Sequence, residues 1–275
     1  MHDNQDTILY LPGDSKESIL KSPILKKYTK ANYEVLLLAD PIDEFVFQHL
    51  TEYEKRKIDS IAKESVKLFE NDDELTKKKN QKLKEMYKPL TDWFKNYLGR
   101  KVERVSISNK LVDAPLFVFT AQYGYSAQME KINKAQAFAN QEKAPSYMLA
   151  KKSLELNPHH PVMKLLLEQL KENDGELDAA NTEYADLLFQ MALINSGFMS
   201  ENPSELTEPL EKLIRVAFGV DRDAEVEEIE VEIEDEEDEP EDADDEEGEV
   251  EVEDLDALDA EIDAEDAGQT YTDDL

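Results

Sequence analysis

Apolar and polar positions alternate along the first part of the chain in a way that predicts strands and helices by turns. Ile8-Leu9-Tyr10-Leu11 reads as a short strand ended by Pro12-Gly13. Asp14 to Leu20 reads as a capped helix start. Ser22-Pro23 opens a second helix, with Pro23 at the first helical position, where its missing amide costs nothing. Ile24, Leu25 and Tyr28 give that helix an apolar face. Tyr33 to Ala39 is a near-continuous apolar run, as in a buried parallel strand. Asp40-Pro41 ends it, and residues 42–50 return as a helix. Such alternation predicts a small α/β unit.

From Leu75 to Leu98 the pattern predicts one long helix. Leu83, Leu90 and Tyr97 recur every seven residues, with Met86/Tyr87 and Trp93/Phe94 between them, so one stripe should be buried. Pro89 should bend this helix and Gly99 should end it; a domain boundary is placed there. Val102 to Ser108 alternates, predicting a half-buried strand. A turn over Asn109 to Pro115 leads into the apolar strand 116–121. Gly124 breaks that strand and Ser126 caps a helix, on which Tyr125, Met129 and Ile132 share one face. Two helices close the globular part, from about Glu176 to Phe198 and from about Ser204 to Gly219. The first carries Leu187, Leu188, Met191 and Ile194; the second carries Leu210, Leu213, Ile214 and Ala217. Either apolar face could be core of its own domain or surface for a partner.

Composition divides the chain. Residues 221–275 hold 31 of the 65 acids and one base, Arg222; the other 220 residues are nearly balanced at a net −4. The acidic stretch is too poor in apolar mass to offset its chain entropy, so disorder is expected there. The net charge of −34 argues against nucleic acid as a partner. There is no Cys, so no disulfide, thiolate metal site or Cys nucleophile. No run approaches the roughly 18 apolar residues needed to span a bilayer, so no membrane insertion is expected. Met1 to Gln5 is polar and acidic, unlike a signal peptide.

Candidate chemistry is sparse. Asp43 and Glu44 could pair as catalytic acids, but carboxylates in the first turn of a helix are accounted for by its dipole. His159-His160 between prolines reads as a turn and helix cap rather than a metal site. A calcium hand fails, because setting Gly248 in register puts Ala243 at the first ligand position. Weak, diffuse calcium binding by the clustered carboxylates stays open. No Gly-rich phosphate cradle is present among the eight glycines.

Three tracts carry a resemblance. Tyr123 to Ala137 closely resembles a signature of the 90-kilodalton heat-shock chaperone family, with Tyr125 where most members have Trp. Ser22-Pro23, Glu34-Val35 and Asp40 to Phe45 match a second pattern, and Lys151 to Pro161 a third. The resemblance covers residues 8 to about 220. It implies that residues 1–98 are the last subdomain of the family's middle domain with a connecting helix. Residues 99–220 are then a mixed helix/hairpin dimerisation domain, and 221–275 an acidic tail. It implies client contact at Tyr125, Met129, Ile132, Tyr147 and Met148. It implies that the closing helix pair, through Leu187, Leu188, Met191, Ile194, Leu210, Leu213, Ile214 and Ala217, meets its copy to form a homodimer. The intact family uses ATP and Mg; this chain, with neither the ATP-binding domain nor a phosphate cradle, should hydrolyse none, and whether Met1 is a true start stays open. Thr272 to Leu275 resembles a variant of the retention signal of the endoplasmic-reticulum branch, and lacks the Met-Glu-Glu-Val-Asp end of the cytosolic one. The expected place is thus the endoplasmic-reticulum lumen, with cytoplasm the alternative. The expected function is binding of unfolded proteins; the alternative is an acidic scaffold or calcium buffer residing in 221–275.

Overall fold

The computed structural model describes residues 5–64, 66, 74–121, 124–139, 151–198 and 203–226. The described residues up to Ala224 form one compact unit. Within it, strand β1 (Ile8–Pro12) is followed by helices α1 (Lys16–Lys21) and α2 (Leu25–Lys30), strand β2 (Val35–Leu38), helix α3 (Pro41–His49) and strands β3 (Glu52–Tyr53) and β4 (Arg56–Ser60). Ser15 caps α1 in a reciprocal capping box with Ser18. Helix α2 starts later than expected: Pro23 lies in the preceding turn and Ile24 is the cap residue. The strands form one sheet in the order β2-β1-β4-β3, with β1 parallel to both β2 and β4. Leu9 and Leu11 face a core with Ile19, Ile24, Leu25 and Tyr28 from α1, α2 and the turn between them. Tyr10, Leu38 and Ile58 face the other way, where Phe47 of α3 packs, its ring 5.0 Å from that of Tyr10. Helices thus cover both faces, giving the expected αβα layering.

Helix α4 (Glu74–Leu98) is the expected long helix with Pro89 inside it. Its buried stripe is Tyr87, Leu90, Phe94 and Leu98; Tyr97 instead stacks on Trp93 at the surface and Met86 is exposed. Gly99 ends the helix at φ +53°, a left-handed conformation that glycine adopts without strain. Strands β5 (Arg104–Ile107) and β6 (Leu116–Thr120), helix α5 (Ala127–Ala139), strand β7 (Lys152–Leu156) and helices α6 (Pro161–Glu172), α7 (Ala179–Asn195) and α8 (Thr207–Ala217) complete the unit. The expected β5–β6 hairpin is not formed. Strand β7 lies between them, parallel to β5 and antiparallel to β6. Strand β7 and helix α6 are additional to the expected elements, as is the short β3–β4 hairpin.

Gly99 marks no gap in packing. Every residue of β6 is buried, and Phe117 and Phe119 complete the core of Leu9, Ile24 and Tyr28 in the first subdomain. Val118, Leu116, Leu154 and Leu156 face a second core with α4, α6 and α7. The edge of β6 is also stitched to the chain before α4: the Thr120 amide donates to the Ala62 carbonyl and the Glu64 amide to the Thr120 carbonyl, at 2.9 and 3.0 Å. No helix among the described residues is long and apolar enough to cross a membrane.

Candidate functional site

Helix α5 begins where the sequence places it, for a visible reason. Gly124 donates its amide to the Ala121 carbonyl, and a Cβ there would stand 3.1 Å from the Thr120 side chain and 3.3 Å from the Lys151 backbone, so a larger residue would push the two segments apart by a few tenths of an ångström. Ser126 then caps the helix, its Oγ accepting the Met129 amide at 3.0 Å. The same hydroxyl donates to Glu44 Oε1 on α3 at 2.6 Å.

Met129 does not share the surface with its neighbours. It is 4% exposed, whereas Tyr125 and Ile132 are half-buried. The burial of Met129 has a physical cause at the next residue. Glu130, 2% exposed, pairs with Lys152 at 3.0 Å and Lys134 at 2.9 Å, and Lys152 lies over the Phe198 ring. That inward anchor rotates Met129 into the interior. Phe138, near the end of the helix and 86% exposed, is the large apolar group that the spacing argument missed. It falls off the i, i+4, i+7 series, and its own exposure is its only signal. Tyr147 and Met148 lie outside the described residues.

A cavity of about 140 Å³ opens beside the first turns of α5. Ile19, Phe117 and Ile194 supply apolar walls, and Thr120, Gln128 and Lys131 polar ones. Lys131 crosses to Asp14, in the β1–α1 connection, at 2.6 Å.

The closing helices divide between core and surface. Leu187 is buried in its own chain, so it is not surface as expected, whereas Leu188 is half-buried and packs partly against the second core. Met191, Ile194, Leu210, Leu213 and Ile214 are each between 39% and 53% exposed, and Ala217 is exposed. Among the described residues of α8, none is buried. An ionic contact joins the helix to α7 instead: Glu183 binds Lys212 at 3.7 Å, and it also binds the Arg222 guanidinium beyond the end of α8, while Lys212 binds Glu208 within α8 at 2.7 Å. Val216, Phe218 and Val220 add to the exposed apolar surface.

Two further buried ionic features went unforeseen. Lys110, 3% exposed, donates to the Glu64 carbonyl at 3.0 Å and to Glu155 Oε1 at 3.4 Å, and sits 4.2 Å over the Phe119 ring. Burial lowers the Lys110 pKa and raises that of Glu155. Glu44 is 8% exposed, and burial raises its pKa too, against the opposing effects of the Ser126 hydrogen bond and the Lys63 charge. It is thus a partner of α5 rather than a simple helix-terminal carboxylate. His160 does cap a helix: its Nδ1 accepts the Val162 amide at 3.2 Å. Burial lowers its pKa, which favours the neutral ring such an acceptor requires.

Comparison with known proteins identifies the company this chain keeps. The sequence model of the family described as Hsp90 protein matches residues 1–249. An endoplasmin homolog of Catharanthus roseus is 39% identical over 229 residues, and one of Hordeum vulgare 38% identical over the same length. A protein of Homo sapiens named putative heat shock protein HSP 90-beta-3 is 36% identical over 228 residues. Each alignment covers 83% of this chain, but only 27% of the two plant relatives and 37% of the human one.

Proposed function

Because the chain belongs to the Hsp90 family, we propose that it is the client-binding and dimerising C-terminal portion of an endoplasmin-like chaperone. The observation that carries this reading is the apolar surface left by α7 and α8: five large apolar side chains at helical spacing, all substantially exposed. A folded unit seldom presents so much apolar surface unless something covers it. A second copy is assigned to this face. Unfolded protein is assigned to the surface of α5, through Tyr125, Ile132 and Phe138, with Met129 as its internal support. We assign nucleotide chemistry to no residue of 1–275. The names of the endoplasmin relatives favour the endoplasmic-reticulum lumen, with cytoplasm as the alternative.

The test is suppression of aggregation. Thermally denatured citrate synthase should stay in solution when the full chain is present. A form truncated after Ala224 should retain that activity. If protection is lost with residues 225–275, the acidic segment acts and the surface assignment fails.

A further inference from the structure

We propose that Glu44 is a positioning residue for α5, holding the first turn of that helix from the opposite subdomain through Ser126. This rests on the reading of α5 as the client-contact helix. A serine hydroxyl has one proton to give and lone pairs to accept with. Here it accepts the Met129 amide and gives its proton to Glu44, 82 residues away in sequence. Both roles are filled, so turning the hydroxyl away from its capping position would break both hydrogen bonds at once.

Glu44 is poorly explained as a stability element. Its carboxylate is buried, and among the described residues Oε2 has no hydrogen-bond partner. An unpaired buried oxygen is costly, and an apolar side chain of similar size would fill the space at lower free energy. Of the groups around it, Lys63 opposes the carboxylate's neutralisation, Ser126 is its hydrogen-bond donor, and the nearby Tyr10 hydroxyl feels its charge. A second link works in the same sense: Asp14 of the β1–α1 connection holds Lys131, one turn further along α5. Both links reach α5 from the subdomain built on β1, and the cavity opens beside them. The direction of the client-contact helix is therefore set by the first subdomain, and a displacement of α3 would be felt at Ser126.

Hydrogen exchange and client protection on the full chain test this together. Glu44→Ala should speed exchange of the Met129 amide about fivefold, the worth of an ordinary helix cap. It should also raise several-fold the amount of chain needed to protect denatured citrate synthase. Glu44→Gln keeps a carbonyl acceptor and should stay within about twofold of wild type in both, as hydrogen-bond geometry rather than charge makes the link. Ser126→Ala cuts the link at its other end and should match Glu44→Ala, which keeps the test alive if one variant folds poorly. An unchanged Met129 exchange rate in Glu44→Ala and Ser126→Ala would overturn the proposal, and so would a Gln variant as impaired as the Ala one. A wild type that protects no client would sink the assignment of α5 to clients, while the exchange rates would still judge the link itself.

Discussion

Lys110 shows what a single residue does in this fold. Its ammonium joins the segment before α4 to β7 and to the Phe119 ring. Removing one member of a buried ion pair leaves the other uncompensated, at about 3–5 kcal/mol. Lys110→Ala should therefore lower the urea midpoint strongly, whereas Lys110→Met combined with Glu155→Leu should recover most of the loss. Equal losses in the single and double variants would contradict the pairing. Glu44 makes a pH prediction. Its folded pKa lies above the ordinary 4.5 because burial disfavours the charged form. Between 4.5 and that raised value the folded chain holds a proton the unfolded chain has released. Stability contributed there falls as pH rises through the window. Glu44→Gln lacks this step. Its unfolding free energy should vary less across that window, and at neutral pH it should equal or exceed that of wild type. Neither residue's role was legible beforehand. Lys110 and Glu155 are polar letters in polar-looking stretches, and only the three-dimensional pairing buries them.

At the scale of elements, the alternation of apolar runs made the first subdomain legible: β1, α1, β2 and α3 stand where the pattern puts them. Strand β7 was not legible, and the reason is instructive. Ser153 and Glu155 interrupt its apolar residues and suggest a solvent face, yet both are buried because β7 is the central strand with both faces covered. Helix α6 hides less. Met163, Leu166, Leu167 and Leu170 stand at helical spacing and are all buried; the expectation of a turn around the two histidines obscured it. For α5, spacing gave the element but not its rotation. The contrast between Met129 and Phe138 is accordingly the test of which side is which. Met129→Ala should cost about 2–5 kcal/mol, as for other buried methionines. Phe138→Ser should change stability by no more than about 0.5 kcal/mol, typical of exposed sites. Thermal denaturation of both variants measures the difference, and a Phe138 variant that destabilises as much as the Met129 one would reverse the helix.

Over the whole molecule the question is what covers α7 and α8. Leu187 is taken up within the chain, which removes it from the expected interface, and Leu188 is half-buried. Met191 and Ile194 on α7, and Leu210, Leu213 and Ile214 on α8, remain. Burying one such side chain contributes roughly 1.5–3 kcal/mol, and a two-fold contact uses each residue twice. Several together could hold a dimer at micromolar concentration, which requires about 8 kcal/mol. Charge opposes this, since each copy carries a net −34. Salt screens that repulsion beyond a distance of about 8 Å at physiological strength. Dimerisation through an apolar face should therefore tighten as salt rises, whereas one held by ion pairs would loosen. Leu213→Glu puts two carboxylates into the seam, at several kcal/mol for each unpaired charge, and should yield a monomer. Light scattering behind a sizing column reads the mass directly, and circular dichroism shows whether the helices persist. A wild type that is monomeric at tens of micromolar in high salt, or a Leu213→Glu variant that stays dimeric, would remove the second copy from this face.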